Sequence, residues 1–289
     1  MFSGKGPPAR SPPEETTMNQ TQPASPPAIQ SDAPLVLKEI RGPAAWLTLN
    51  RPQARNALSL GMMLALIEAV DSVAADKSVR AVVIQGAGPA FCAGHDLKEL
   101  RSTPTREFYE TTFECCSTLM LKIVSLKKPV IARVHGIATA AGCQLVATCD
   151  LAASADNARF ATPGVNIGLF CSTPMVALSR NVPRKQAMEM LLTGEMVDAP
   201  TAQSLGLVNR VVPEAQLDAT VAAMVDTIAA KSPLTLAIGK EAFYKQLDMK
   251  LADAYAYAST VMTTNMMARD AEEGIDAFIG KRKPTWQGC

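Results

Sequence analysis

Apolar and polar residues alternate over Leu35–Ile40 and Ala45–Leu49, which predicts two strands joined by a turn at Arg41-Gly42-Pro43. The period then changes. Met62, Met63, Leu66, Ile67, Val70 and Val73 recur at helical spacing behind Ser59, a residue type suited to the N-cap. Ala81–Ile84 is a short continuous apolar run ending at Gly86, as a strand buried on both faces reads. A helix is expected over Thr111–Leu126, a second buried strand over Pro129–Val134, a helical segment over Ala140–Ala147 and an apolar stretch over Leu151–Ala153. Strands alternating with helices imply parallel pairing with crossover helices, an α/β layered core.

Farther on, helices dominate. Lys185–Leu192 stops at Gly194 and Pro200–Leu205 at Gly206, each glycine standing where a helix ends. Ser232-Pro233 pairs an N-cap with proline at the first helical position and opens a helix toward Leu247; a last helix covers about 267–279. Few strand signals follow Val212, and no internal repeat of fixed period is present. The division expected is a tail over 1–34, an α/β core over 35–195 and a helical C-terminal part of the same domain over 196–289. The tail rests on composition: eight of the chain's 20 prolines fall there, among Ser, Thr and Gln, with too little apolar surface to offset the entropy of ordering.

Charge and rare residues narrow the chemistry. With 28 Lys+Arg against 27 Asp+Glu over 289 residues, the net charge of +1 creates no field suited to nucleic acid or an anionic membrane. No apolar stretch reaches the length of a bilayer span. Seven Cys in apolar surroundings, an odd number, suit a reducing compartment better than a disulfide framework. Residues 1–34 lack the apolar centre of a secretory signal and contain one Arg with Glu14 and Glu15, unlike a transit peptide. The compartment expected is the cytoplasm, or mitochondria if the source is eukaryotic.

Two strings carry the informative chemistry. Gly86-Ala-Gly88-Pro-Ala-Phe-Cys-Ala-Gly94 follows a strand, but a dinucleotide fingerprint needs glycine where Phe91 stands and an acidic residue about 20 further on. Tight turns and close backbone approach explain its glycines, yet not the continuation His95-Asp96-Leu97. Cys92 and His95 are two ligands at most, so no metal site is expected. There is no Gly-x-Ser-x-Gly elbow, which argues against a serine hydrolase. Cys143, Cys149 and Cys171 read as small buried hydrophobes. The second string runs from His135-Gly136 through Ala141-Gly142-Cys143-Gln144 to Cys149-Asp150. Its small residues crowd a helix start just after a buried strand. They suit either close helix–sheet packing or a helix N-terminus whose free N–H groups stabilise a developing oxyanion.

Together these strings resemble the crotonase, or enoyl-CoA hydratase/isomerase, superfamily. The ordered markers are Asn50-Arg51-Pro52, Asn56-Ala57-Leu58, Phe91 to Leu97, His135 to Asp150, and the closing Ala277-Phe278 and Lys281-Arg282-Lys283-Pro284. The resemblance covers about 35–286. It implies a crotonase-like spiral of ββα units with a helical C-terminal trimerisation part, acting on acyl-CoA thioesters within fatty-acid metabolism. It places the oxyanion hole at the backbone N–H groups of His95 and Ala141. The two glutamates that a hydratase uses fall at Gln144 and Gly164, so the acid–base carboxylates are absent. His95 is then the one matched-site residue whose ordinary pKa suits proton transfer near neutrality. Arg55, Ala57, Ala93, Lys281 and Lys283 match the positions that hold coenzyme A, which is part of the substrate, so no separate cofactor is implied. Cys171 and Ser172 lie in the stretch that lines the acyl pocket. Asp96 joins the substrate contacts by position, although it and Asp150 also suit turns or caps. Trimers, some paired into hexamers, are the implied assembly, with Met262, Met266 and Met267 suited to the interface or to the core. The competing expectation, from Gln144 and Gly164, is a catalytically silent CoA-thioester binder or regulatory protein.

Overall fold

The computed structural model describes Met1 and residues 33–289; apart from Met1, Ala33 and Pro34, the tail expected over 1–34 lies outside the described residues. The chain runs β1 (Val36–Arg41), β2 (Ala44–Leu49), α1 (Leu60–Ala74), β3 (Ala81–Gly86), α2 (Leu97–Ser102), α3 (Arg106–Ser125), β4 (Val130–Val134), β5 (Ile137–Thr139), α4 (Ala141–Thr148), β6 (Leu151–Ala155) and β7 (Arg159–Ala161). It continues with α5 (Ser172–Asn181), α6 (Arg184–Thr193), β8 (Val197–Asp198), α7 (Ala199–Ser204), β9 (Arg210–Val212), α8 (Leu217–Ala229), α9 (Pro233–Gln246), α10 (Leu251–Met266) and α11 (Arg269–Ile279).

The main sheet has the order β1-β2-β3-β4-β6-β9, with β1 antiparallel and the remaining neighbours parallel. A second sheet joins β5, β7 and β8. The apolar runs of β2, β3 and β4 are continuous because both faces are covered. Leu47, Ile84 and Ala132 face the main core with Met62, Leu66, Leu119 and Ile123 of α1 and α3. Trp46, Val83 and Ile131 face the other way, onto Leu217, Val221 and Val225 of α8. Each such fully buried aliphatic side chain contributes about 1.5–3 kcal/mol. The sheet thus takes its last strand, β9, and one covering helix, α8, from beyond residue 195.

Most expected elements are present. Ser59 caps α1 by accepting from the Met62 N–H, and Ser232 caps α9 by accepting from that of Thr235. α3 begins earlier than its apolar pattern suggested, at Arg106, because the Thr105 hydroxyl accepts from the Phe108 N–H and supplies the cap. The helix expected at about 267–279 is α11, whereas α8 and α10 are present without having been expected. Neither α8 nor α10 has a side-chain cap, so their starts carry no punctuation.

A buried polar cluster ties α9 to the sheet. The Lys240 side chain is 7% exposed, and its ammonium lies 2.6 Å from Asp150 Oδ2 and also donates to the carbonyls of Ile123 and Lys128. Asp150 further accepts from the Val130 N–H at 2.7 Å and the Tyr244 hydroxyl at 2.9 Å. Burial pulls the Lys240 pKa down and pushes that of Tyr244 up. Asp150 is therefore an anchor for a helix 90 residues away, a more distant role than the local turn or cap its sequence suggested.

Candidate active site

The two informative strings meet. Residues 91–95 lie as an extended segment between the loop before α1 and β5. Cys92 exchanges backbone bonds with Ile137 and Thr139, the Ala93 N–H donates to the Arg55 carbonyl, and Leu58 brackets Asp96 and Gly94. Asn56, fully buried, sews this arrangement together: its Nδ2 donates to the carbonyls of Ala87 and Ala90, and its Oδ1 accepts from the Arg51 N–H. Gly94 has φ +96°, and a Cβ there would stand 2.8 Å from that of Ala140 and 3.4 Å from the Ala141 nitrogen. Only glycine lets the first string approach the start of α4 so closely.

At that junction the N–H groups of His95 and Ala141 have no backbone or side-chain acceptor among the described residues. Ala140, immediately before α4, is held at φ 51° and ψ −118°, a conformation unfavourable for any residue with a Cβ. It turns the chain so that α4 begins beside Gly94. Both N–H groups belong to residues that line a cavity of about 560 Å³, walled mainly by Leu97, Leu100, Phe113, Leu169 and Phe170. Two convergent donors at a helix N-terminus, in apolar surroundings, can stabilise an oxyanion. A larger groove of about 860 Å³ follows the exposed side of α3, but a single helix bounds it and nothing converges there from a second side.

The His95 ring also lines the cavity, edge-on to Phe113 at 5.4 Å, with Nε2 buried and unpartnered among the described residues. Burial lowers its pKa to about 4, so the ring is neutral at pH 7 and a poorer base than its ordinary value suggests. A stability effect follows. Between pH 6.5 and 4 the unfolded chain holds a proton on His95 that the folded chain does not, so this contribution to stability is lost as pH falls through that window. The loss is at most on the order of 3 kcal/mol. Urea midpoints at pH 7 and pH 4.5 should separate more for the wild type than for His95→Gln; equal separation would refute the assignment.

The remaining candidates fall into three groups. Gly164, Cys171, Ser172 and Ala93 line the cavity. Gln144 is buried beneath it, its Oε1 3.8 Å from Cys116 Sγ. Gly164 has no space for a side chain: a Cβ would lie 2.3 Å from the Leu169 carbonyl oxygen and 2.9 Å from Cys171 Sγ. Gly164→Glu is accordingly expected to force the 163–171 loop to move and to cost about 1–3 kcal/mol in chemical denaturation; an unchanged midpoint would show that the loop yields freely.

Asp96 is directed elsewhere than the cavity. It caps α2 by accepting from the N–H groups of Lys98 and Glu99 and pairs with Arg51 at 2.9 Å. The substrate contact expected of Asp96 gives way to this, because the cap and the ion pair occupy its carboxylate. Ala57 is buried with its carbonyl accepting from Arg51, whereas the Arg55 side chain is exposed on the same loop. Lys281 and Lys283 are exposed just past α11, where Arg282 grips Glu273 through two contacts of 2.6 and 2.7 Å. Among the described residues no group of three or more His, Cys, Asp or Glu could hold a metal ion, and no single helix is long and apolar enough to cross a membrane. Asn56 and Lys240 carry structural roles that the strings alone did not single out.

A family model described as enoyl-CoA hydratase/isomerase matches residues 39–289. The chain belongs to this family, the crotonase superfamily, and has its fold. Among curated proteins it is similar to the mitochondrial enoyl-CoA hydratase domain-containing protein 3 of Rattus norvegicus, 46% identical over 240 residues, 83% of this chain and 80% of that protein. Among solved structures it is similar to an enoyl-CoA hydratase of Mycobacterium smegmatis, with 57% identity and a TM-score of 0.86 over 88% of this chain and 99% of that one. Human enoyl-CoA hydratase domain-containing protein 3 aligns with 45% identity and a TM-score of 0.85 over 87% and 100%. The word mitochondrial in the names of such relatives is consistent with the eukaryotic branch of the compartment expectation and does not support the cytoplasmic one.

Proposed function

We propose that the cavity binds the acyl part of a coenzyme A thioester and stabilises its enolate, with the N–H groups of His95 and Ala141 as the oxyanion hole. The observation that carries this reading is the pair of acceptor-free donors lining one apolar cavity where the two strings converge. Family membership supports the thioester, and the names of the relatives support hydratase-like lyase or isomerase chemistry. Arg55, Lys281 and Lys283 are the proposed cations for the phosphates, which exposed side chains on flexible stems can reach through charge-assisted contacts. The test is a panel of enoyl-, hydroxyacyl- and malonyl-type CoA esters, with binding followed calorimetrically and products by mass spectrometry. Turnover of at least one ester is expected; binding of none would defeat the proposal.

A second reading has its own observation. No Asp or Glu is among the cavity-lining residues, and Gln144 and Gly164 stand where the family's two glutamates fall. A silent CoA-thioester binder would bind esters from the panel and turn over none. The Gly164 contacts sharpen this alternative, because a glutamate cannot be restored there without moving the loop.

We also propose self-association through the C-terminal helices. α9 and α10 bury no residue completely, and Met262, Met267, Tyr255 and Phe278 are 61, 84, 70 and 85% exposed. Apolar exposure on this scale supports an interaction face, and these methionines lie outside the core of the single chain. A trimer, or a hexamer of paired trimers, is the expected mass by light scattering; a monomer at micromolar concentration would count against it.

A further inference from the structure

The chain's second histidine, His135, is not among the residues that line the cavity; it is buried at the corner between β4 and β5. Both of its ring nitrogens are engaged. Nδ1 lies 3.0 Å from the Arg133 guanidinium and Nε2 2.7 Å from the Gly88 carbonyl oxygen. A guanidinium only donates and a carbonyl only accepts, so Nδ1 carries the lone pair and Nε2 the hydrogen. Arg133 is held in turn, its Nε donating over 2.7 Å to Asp218 in the first turn of α8. The imidazole is thereby fixed in one tautomer and one orientation.

Gly88 belongs to the string whose far end is the His95 donor. Residues 88–91 rest on the 135–136 corner at three points. The His135 ring donates to the Gly88 carbonyl, and the His135 carbonyl accepts from the Phe91 N–H at 3.0 Å. Gly136, at φ +61°, leaves room for the Pro89 carbonyl, with which a Cβ would collide. Asn56 takes the flanking carbonyls of Ala87 and Ala90, but among the described residues only the His135 ring hydrogen-bonds to that of Gly88. Beyond Phe91, Cys92 pairs with β5 and the chain reaches His95 three residues later. The seat of the turn therefore sets the line along which the donor is delivered.

We propose that His135, oriented by Arg133, is a positioning residue. By holding the Gly88 carbonyl it aligns the segment ending in the His95 N–H with the Ala141 N–H on a thioester carbonyl. The inference rests on the oxyanion reading above; the ring touches no substrate and moves no proton. Its two contacts can be separated. Glutamine can place an N–H where Nε2 stands and keep the Gly88 contact, whereas asparagine can place an oxygen where Nδ1 stands and keep only the Arg133 contact.

The test compares the full-length wild type with His135→Gln, His135→Asn and His135→Ala, using butyryl-CoA labelled with 13C at the thioester carbonyl. Calorimetry reads binding, and isotope-edited infrared spectra read the carbonyl stretch, which falls as the two donors polarise the bond. Similar affinity is expected in all four proteins. The stretch should be lowered in the wild type and His135→Gln, and return toward the free ester's value in His135→Asn and His135→Ala. For any ester that turns over, the Asn and Ala variants should lose about 10-fold in kcat with KM little changed. Because the chain has 2 His, 15N-histidine NMR can read the His135 ring directly; hydrogen on Nδ1 in the wild type would overturn the assignment. A lowered stretch that is the same in all four proteins would overturn this inference and leave the thioester reading standing. An equal loss in all three variants would also overturn it, assigning the effect to the lost packing of the ring. Binding without a lowered stretch in the wild type, or no binding of any CoA ester, would overturn both.

Discussion

Replacing Asp150 by alanine should cost about 3–5 kcal/mol of stability. The change leaves the Lys240 ammonium buried with its charge uncompensated, and leaves the Val130 N–H and the Tyr244 hydroxyl without their acceptor. Removing one partner of a buried pair is costlier than removing both, because the surviving charge still lacks its hydration. Asp150→Ala/Lys240→Met should therefore recover much of the loss, and the non-additivity in a double-mutant cycle would measure the coupling. Since α9 contributes no fully buried residue of its own, hydrogen exchange should show α9 to α11 opening before the sheet does. A cost under about 1 kcal/mol for Asp150→Ala would mean that the cluster is not what holds the helix.

Ala141→Pro should lower turnover of any ester the protein processes by about 10²–10³-fold while leaving calorimetric binding much less affected. Ala141 is the first residue of α4, where an N–H has no partner inside the helix and proline is otherwise accepted. The substitution thus deletes one donor from the cavity without removing a helix hydrogen bond. Ala140, held at ψ −118°, is the position that limits this, since proline restricts the residue before it. A thermal melt of the variant separates the two effects: lost turnover with an unchanged melt assigns the loss to the donor. Unchanged turnover would remove Ala141 from the oxyanion hole.

The Gly164 contacts also change what a rescue experiment can mean. Placing glutamates at 144 and 164 would test the tolerance of the 163–171 loop before it tested hydratase chemistry, because the Leu169 carbonyl already fills the space. The environment of His95 works in the same direction. Its ordinary pKa made it the natural candidate for proton transfer, and desolvation removes that advantage.

What the chain determined by itself was local and periodic. The strands around Leu47, Ile84 and Ile131, the Ser59 and Ser232 caps, and the glycine-bearing strings were all legible. Each depends on side chains within a few residues, or on period alone. α8 and α10 were not among the expected elements; both begin without capping side chains, and their roles depend on surfaces far away in sequence. Tertiary structure alone decided that Gly94 meets the start of α4, that Asp150 serves α9, that Asp96 pairs with Arg51, and that no side chain fits at 164. Those outcomes rest on long-range packing and on the removal of water, which sequence spacing does not encode. Residue types specified which chemistry was available, and burial specified the protonation state in which each group is held.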